Sequence, residues 1–202
     1  MRVMRLMDRF ARNGLAVAAV VLGACFCSSC ALTPEAREAK HMANGKRYLA
    51  AGDYKSASIE FRVASQNMPK DAEPLYQLGM TYLSGGAATQ ALQAFDKAVA
   101  VNPAHEGAQY QVALFEVGSS KPEDVTTAMG VLQKYSAGHP DSAEPWGALA
   151  LADAKLGNKE EALKDLHAAV ARAPGQLRPV SIVIGFYAAK GDVETAKEIV
   201  LH

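Results

Sequence analysis

From residue 31 onward the chain has no cysteine; its three thiols, Cys25, Cys27 and Cys30, fall within six residues of one another. That leaves no disulfide bracing and no thiolate-metal chemistry for the body of the protein. Aromatic residues make up only 7% of the sequence while apolar residues reach 50%, with alanine dominant. Such a balance favours closely packed helices over a sheet protein. An excess of positive charge is missing too. Arg2, Arg5, Arg9 and Arg12 lie in the first dozen residues against Asp8 alone, and without this segment acidic residues outnumber basic ones by three. No basic stripe remains to hold a phosphate backbone, so nucleic acid is not an expected partner.

The N-terminal arginines precede an apolar run, Gly14–Cys27. A bilayer-spanning helix needs about 20 apolar residues, whereas this length suits the central part of an export signal. The run closes on Leu22-Gly23-Ala24-Cys25, which resembles the bacterial lipobox. The resemblance implies that residues 1–24 are a cleaved signal peptide and that Cys25 becomes the lipid-bearing first residue. Cys30, after Ser28 and Ser29, is the alternative site. An ordinary signal, or a start at Met4 or Met7, is the third reading. Cys-x-Cys-x-x-Cys has no fourth ligand nearby and apolar flanks, which argues against a metal site. A multiply acylated cysteine would hold the protein on a bilayer, each buried CH2 adding about 0.8 kcal/mol. Neither cysteine is followed by Asp, so by the enterobacterial sorting rule the expected location is the periplasmic face of the cell envelope, outer membrane rather than inner. Residues 25–37 then read as a tether, and Thr33-Pro34-Glu35 as a helix start.

The rest of the chain repeats itself. Pro69, Pro103, Pro140 and Pro174 are spaced by 34, 37 and 34 residues. Aligned on them, small residues recur at Ala57, Ala91, Ala128 and Ala162, and bulky ones four later at Phe61, Phe95, Leu132 and Leu166. Ala64, Ala98, Tyr135 and Ala169 complete one helix; Gly45, Gly79, Ala113 and Ala150 mark the other. Turn residues separate the two: Gly52-Asp53, Gly85-Gly86, Gly157-Asn158 and Gly191-Asp192. The pattern resembles the tetratricopeptide repeat, most completely in Leu75, Leu78, Gly79, Tyr82, Ala91, Phe95, Ala98 and Pro103. The resemblance implies an all-α superhelical solenoid of about four and a half helical hairpins over residues 38–202. Its units are 38–71, 72–105, 106–142, 143–176 and an incomplete 177–202. Three extra residues in the third unit fall around Val117–Asp124 and are expected to lengthen its turn. Glu116 and Asp153 stand where Tyr82 stands in the second unit, so looser packing is expected there. A fifth closing proline would lie beyond His202, so the chain reads as part of a longer array.

No phosphate-cradling glycine loop, nucleophile elbow or metal-spaced histidine pair is present. His41, His105, His139, His167 and His202 are dispersed. The reading is therefore of a protein that is not an enzyme, with no cofactor, no metal and no small-molecule substrate. The wall formed by the first helix of each unit is the expected partner surface. Helical phase places Met42, Lys46, Leu49, Tyr76, Met80, Leu83, Tyr110, Leu114 and Leu151 on it, an apolar groove for protein or peptide segments. Some tetratricopeptide proteins grip a partner's C-terminal carboxylate with Lys and Asn here; only Lys46 fits that pattern. The lipobox, the tether and an opening unit such as Gly45–Phe61 together resemble repeat lipoproteins of exopolysaccharide and PEP-CTERM surface-protein systems. Pilus or outer-membrane assembly lipoproteins are the alternative, as is a repeat module of a longer protein with an enzymatic part beyond residue 202.

Overall fold

The structure, a computed structural model, describes residues 33–201; the cysteines and the lipobox lie outside them. Among the described residues ten helices follow one another without a strand. They are α1 (Pro34–Ala50), α2 (Tyr54–Asn67), α3 (Glu73–Ser84), α4 (Ala88–Val101) and α5 (Glu106–Val117). Then come α6 (Pro122–Gly138), α7 (Glu144–Leu156), α8 (Lys159–Arg172), α9 (Arg178–Ala189) and α10 (Val193–Leu201). Consecutive helices pair into antiparallel hairpins, and α2, α4 and α6 each pack on the first helix of the next unit. The result is the all-α helical-repeat solenoid expected from the repeat pattern.

Each hairpin closes around one contact of small residue against large. Phe61 and Phe95 are fully buried, and a Cβ added to Gly45 would sit 2.6 Å from the Phe61 ring, with Gly79 closer still to Phe95. Units three and four reach the same closure with Ala113 against Leu132 and Ala150 against Leu166, all at most 3% exposed. Glycine pairs with phenylalanine, and alanine with the smaller leucine, so the filled volume is roughly conserved.

The turns are equally regular. Gly52, Gly86, Gly157 and Gly191 adopt φ between 73° and 87°, the left-handed conformation that ends a helix and that glycine enters without a Cβ penalty. The residue after each donates its N–H to a carbonyl five positions back, on Tyr48, Tyr82, Asp153 or Tyr187. Asp53 and Asp192 then cap the following helices through Ser56 and Thr195. Thr33 caps α1 in the same way, by accepting from Ala36.

Unit three departs. Its turn is only Gly118–Lys121, and the additional residues mainly extend α6 to 17 residues against 14 in α2, α4 and α8. The expected long turn is therefore mostly helix, because Pro122 starts it and Glu123 and Asp124 favour its positive end. The carbonyls left over at the end of α5 are met by Lys155, whose Nζ lies 2.7 Å from Val117 O and 2.6 Å from Ser119 O.

Unit five departs further. The close-approach position carries Ile184, and its large partner is replaced by Val200, 67% exposed. α9 packs mainly on α7 rather than α8, leaving an apolar cleft of about 500 Å³ lined by Leu166, Val170, Val180, Ile184 and Val200 among others.

The glycines divide by what surrounds them. Gly79→Ala is expected to destabilise by about 1–3 kcal/mol despite alanine's better helix propensity, because Phe95 has nowhere to move. Gly130→Ala, at a mid-helix site of α6 with no atom within 4 Å of the new Cβ, is expected to stabilise by up to about 1 kcal/mol. Urea unfolding of the two variants should move in opposite directions.

Candidate functional site

The first-helix wall is narrower than helical phase implies. Met42 is 8% exposed and packs with Ala57, Phe61 and Leu78, so it belongs to the core of the first hairpin. Tyr110 is 3% exposed, its ring stacked 3.9 Å from that of Tyr135. Both are corrections to the groove set: the neighbouring helices cover these side chains, and a single-helix wheel does not include neighbours. Leu49 is half-buried against the core around Met42 and Phe61, and Leu114 and Leu151 against the core around Tyr110 and Leu132. Tyr76 is half-buried, its ring end at 3.1 Å from where a Gly107 Cβ would lie. Lys46 and Leu83 are exposed and Met80 is half-exposed. The accessible part of the wall is thus concentrated on α1 and α3, at Lys46, Tyr76, Met80 and Leu83.

Around Tyr76 and Tyr110 the wall is acidic. Glu73 takes a hydrogen bond from Gln77 Nε2 at 2.8 Å and meets His105 Nε2 at 3.2 Å. His105 Nδ1 accepts from Ala108 N at 3.1 Å and caps α5, so Nε2 carries the proton and donates to Glu73. Burial raises the Tyr110 hydroxyl far above its usual range, with Glu144 adding to it.

The tyrosine column Tyr48, Tyr82, Glu116, Asp153, Tyr187 shapes the opposite side. Tyr82 Oη accepts from Arg62 at 2.7 Å. In unit three Glu116 is half-buried, and its carboxyl is pushed up by burial, then by Asp124 and Asp96. In unit four Asp153 is 4% exposed, and Gln133 holds the place that Arg62 has two units earlier. A cleft of about 600 Å³ opens there between α6 and α8, floored by α7. Met129, Gln133, Trp146, Leu149, Asp153 and Asp165 are in its wall. Burial, then Asp153, then Glu161 push the Asp165 carboxyl up to about 6. The acidic substitutions were visible in the sequence, but only as a packing defect. Asp165 lies on a different helix, and nothing in its spacing announced its meeting with Asp153.

Asp165 has its folded pKa raised from 3.8 to about 6. The folded chain therefore holds a proton that the unfolded chain releases first, and stability falls as pH rises through that window. Asp165→Asn should leave the urea midpoint unchanged near about pH 3.5 and raise it at about pH 7.5. The gain is bounded by about 3 kcal/mol and lowered by solvent screening.

With this geometry in view, residues 72–105, the whole second unit, match the family described as tetratricopeptide repeat. A search of curated proteins finds no match. Among solved structures the chain is similar to MamA from Desulfovibrio magneticus RS-1, residues 41 to the end. The identity is 23% and the TM-score 0.63, over 82% of this chain and 92% of that one. A second MamA crystal structure aligns with 21% identity and TM-score 0.62, over 81% and 88%. YrrB, described as a TPR protein with an unusual peptide-binding site, aligns with 19% identity and TM-score 0.61, over 79% and 80%. At these identities the likeness is one of fold: an all-α helical-repeat solenoid with a tetratricopeptide repeat at its second unit.

Proposed function

We propose that this chain is a lipid-anchored protein–protein interaction scaffold of the bacterial cell envelope. The observation that carries the scaffold reading is the open strip on successive first helices, Lys46 on α1 with Tyr76, Met80 and Leu83 on α3. Methionine and tyrosine present adaptable, largely apolar surface at low ordering cost, and the exposed ammonium supplies one point of orientation. The likeness to YrrB, a peptide-binding repeat protein, supports the same reading. Anchoring rests on Leu22–Cys25 alone. Service in exopolysaccharide or surface-protein export rests on the resemblance of the lipobox, tether and opening unit to such lipoproteins. Genes for polysaccharide synthesis beside this reading frame would favour that system, and genes for pilus or outer-membrane assembly would favour the alternative.

Two experiments test the proposal. Cells expressing the full chain and fed radioactive palmitate should label it, with label lost in Cys25→Ser and kept in Cys30→Ser; an unlabelled, soluble product would remove the anchor. For the groove, random dodecapeptides displayed on phage are selected on the chain. Binding of the recovered peptides should weaken at least tenfold in the double variant Tyr76→Ala, Met80→Ala, with its helical circular dichroism intact. Phe95→Ala should instead lose about 3–5 kcal/mol of stability. Equal unfolding of both variants would show that Tyr76 and Met80 serve packing alone.

A further inference from the structure

The outer cleft between α6 and α8 is a separate site from the first-helix strip, and its chemistry is distinct. At the equivalent place between α2 and α4, Tyr82 and Arg62 meet side chain to side chain at 2.7 Å. With Asp153 and Gln133 in their places the space is open, and it carries charge where its counterpart carries a phenol. Asp153 is 4% exposed and in the wall of the cleft. One of its oxygens accepts from Asn158 Nδ2 at 2.9 Å. No Lys, Arg or His nitrogen of the described residues lies within 4 Å of its carboxylate or that of Asp165. A carboxylate this deeply placed is expected to have a cation.

Two cations neighbour the carboxylates. Lys164 lines the cleft together with Glu161, which it holds at 3.0 Å on the exposed side, and its pull on the Asp165 carboxyl is weaker than the push from burial and the acidic neighbours. Arg172 lies over the Trp146 ring at 4.4 Å, but its nitrogens reach Pro140 O at 2.6 Å and Ala168 O at 2.8 Å. The Trp146 indole N–H, also in the cleft wall, is buried without an acceptor. One unit earlier, Glu116, Asp96 and Asp124 continue the negative charge along the same side.

We infer that this cleft receives a lysine or arginine side chain from a basic segment of a partner protein, held by the Asp153 and Asp165 carboxylates. Met129, Leu149 and Trp146 offer apolar wall for the methylene stem, and the carboxylates meet the charged head. A metal ion fits less well. Hard divalent cations collect six or more oxygens, and no group of three or more metal-competent acidic, histidine or cysteine side chains occurs among the described residues.

Trp146 is the one tryptophan of the chain, so its fluorescence reports on the cleft directly. The full chain is titrated with N-acetyl-arginine amide, with the uncharged near-isostere N-acetyl-citrulline amide, and with calcium chloride. A saturable change with the arginine compound alone is expected. Its affinity should fall about tenfold or more in Asp153→Asn and in Asp165→Asn, the loss of one charge-assisted contact. Asp153→Tyr, which restores the residue found in units one, two and five, should abolish the response while keeping the chain folded. The groove variant Tyr76→Ala, Met80→Ala should respond like the parent, which separates this site from the scaffold reading. No response to arginine, an equal response to citrulline or to calcium, or unchanged affinity in both asparagine variants would overturn the inference.

Discussion

The structure depends on how closely the two helices of a hairpin can approach. Where Gly45 and Gly79 remove the side chain from one helix, Phe61 and Phe95 fill the gap from the other. Where the first helix keeps a methyl group, at Ala113 and Ala150, the partner shrinks to Leu132 and Leu166. Interiors are packed to near-crystalline density, so one member of such a pair cannot change size alone. Unit five breaks the rule from both sides, with Ile184 too large and Val200 not buried. Both residues line the apolar cleft that opens there.

A second constraint sits at the end of each first helix, where backbone and side chain have separable tasks. The carbonyl of residue 48, 82, 153 or 187 closes the glycine turn, and that bond is indifferent to the side chain attached. The side chain fills or opens the cleft outside. Aspartate at 153 therefore leaves the turn intact, with Asn158 N at 2.9 Å, while changing the surface from phenolic to acidic. The aspartate side chain adds a second bond to the same turn, accepting from Asn158 Nδ2 at 2.9 Å, so the substitution is compatible with the turn. In unit three, without a positive-φ glycine, both tasks change together, and Lys155 reaches across from α7 to satisfy the exposed carbonyls.

This separation explains what could be read from the residues alone. Repeat period, hairpin boundaries and turn glycines are local and periodic, so Gly52, Gly157 and Gly191 announced themselves. The buried columns followed, because each is spaced by a helical turn within one element. Met42 and Tyr110 misled because burial is a property of neighbours: Phe61 and Leu78 share a core cluster with the first, and Tyr135 stacks on the second. The three extra residues of unit three looked like a loop because Gly118 and Ser119 are turn formers. Pro122 with Glu123 and Asp124 starts a helix just as well, and helix was the outcome.

The electrostatic character of the middle of the array has the same origin. Tyrosine at the outer position can be half-buried at little cost, whereas a carboxylate there is taken from water without gaining a cation. Glu116 and Asp165 respond by holding their protons more tightly, each pushed by burial first and by neighbouring carboxylates second. A chain selected for stability alone would keep the phenol, or place a cation opposite the acid as Lys159 is placed opposite Glu198 at 3.0 Å. Units three and four do neither, and they do so at the same column in succession. The cost falls on folding, and what it leaves exposed is a negatively charged cleft beside the only indole in the molecule. The charge of that wall is complementary to a basic side chain.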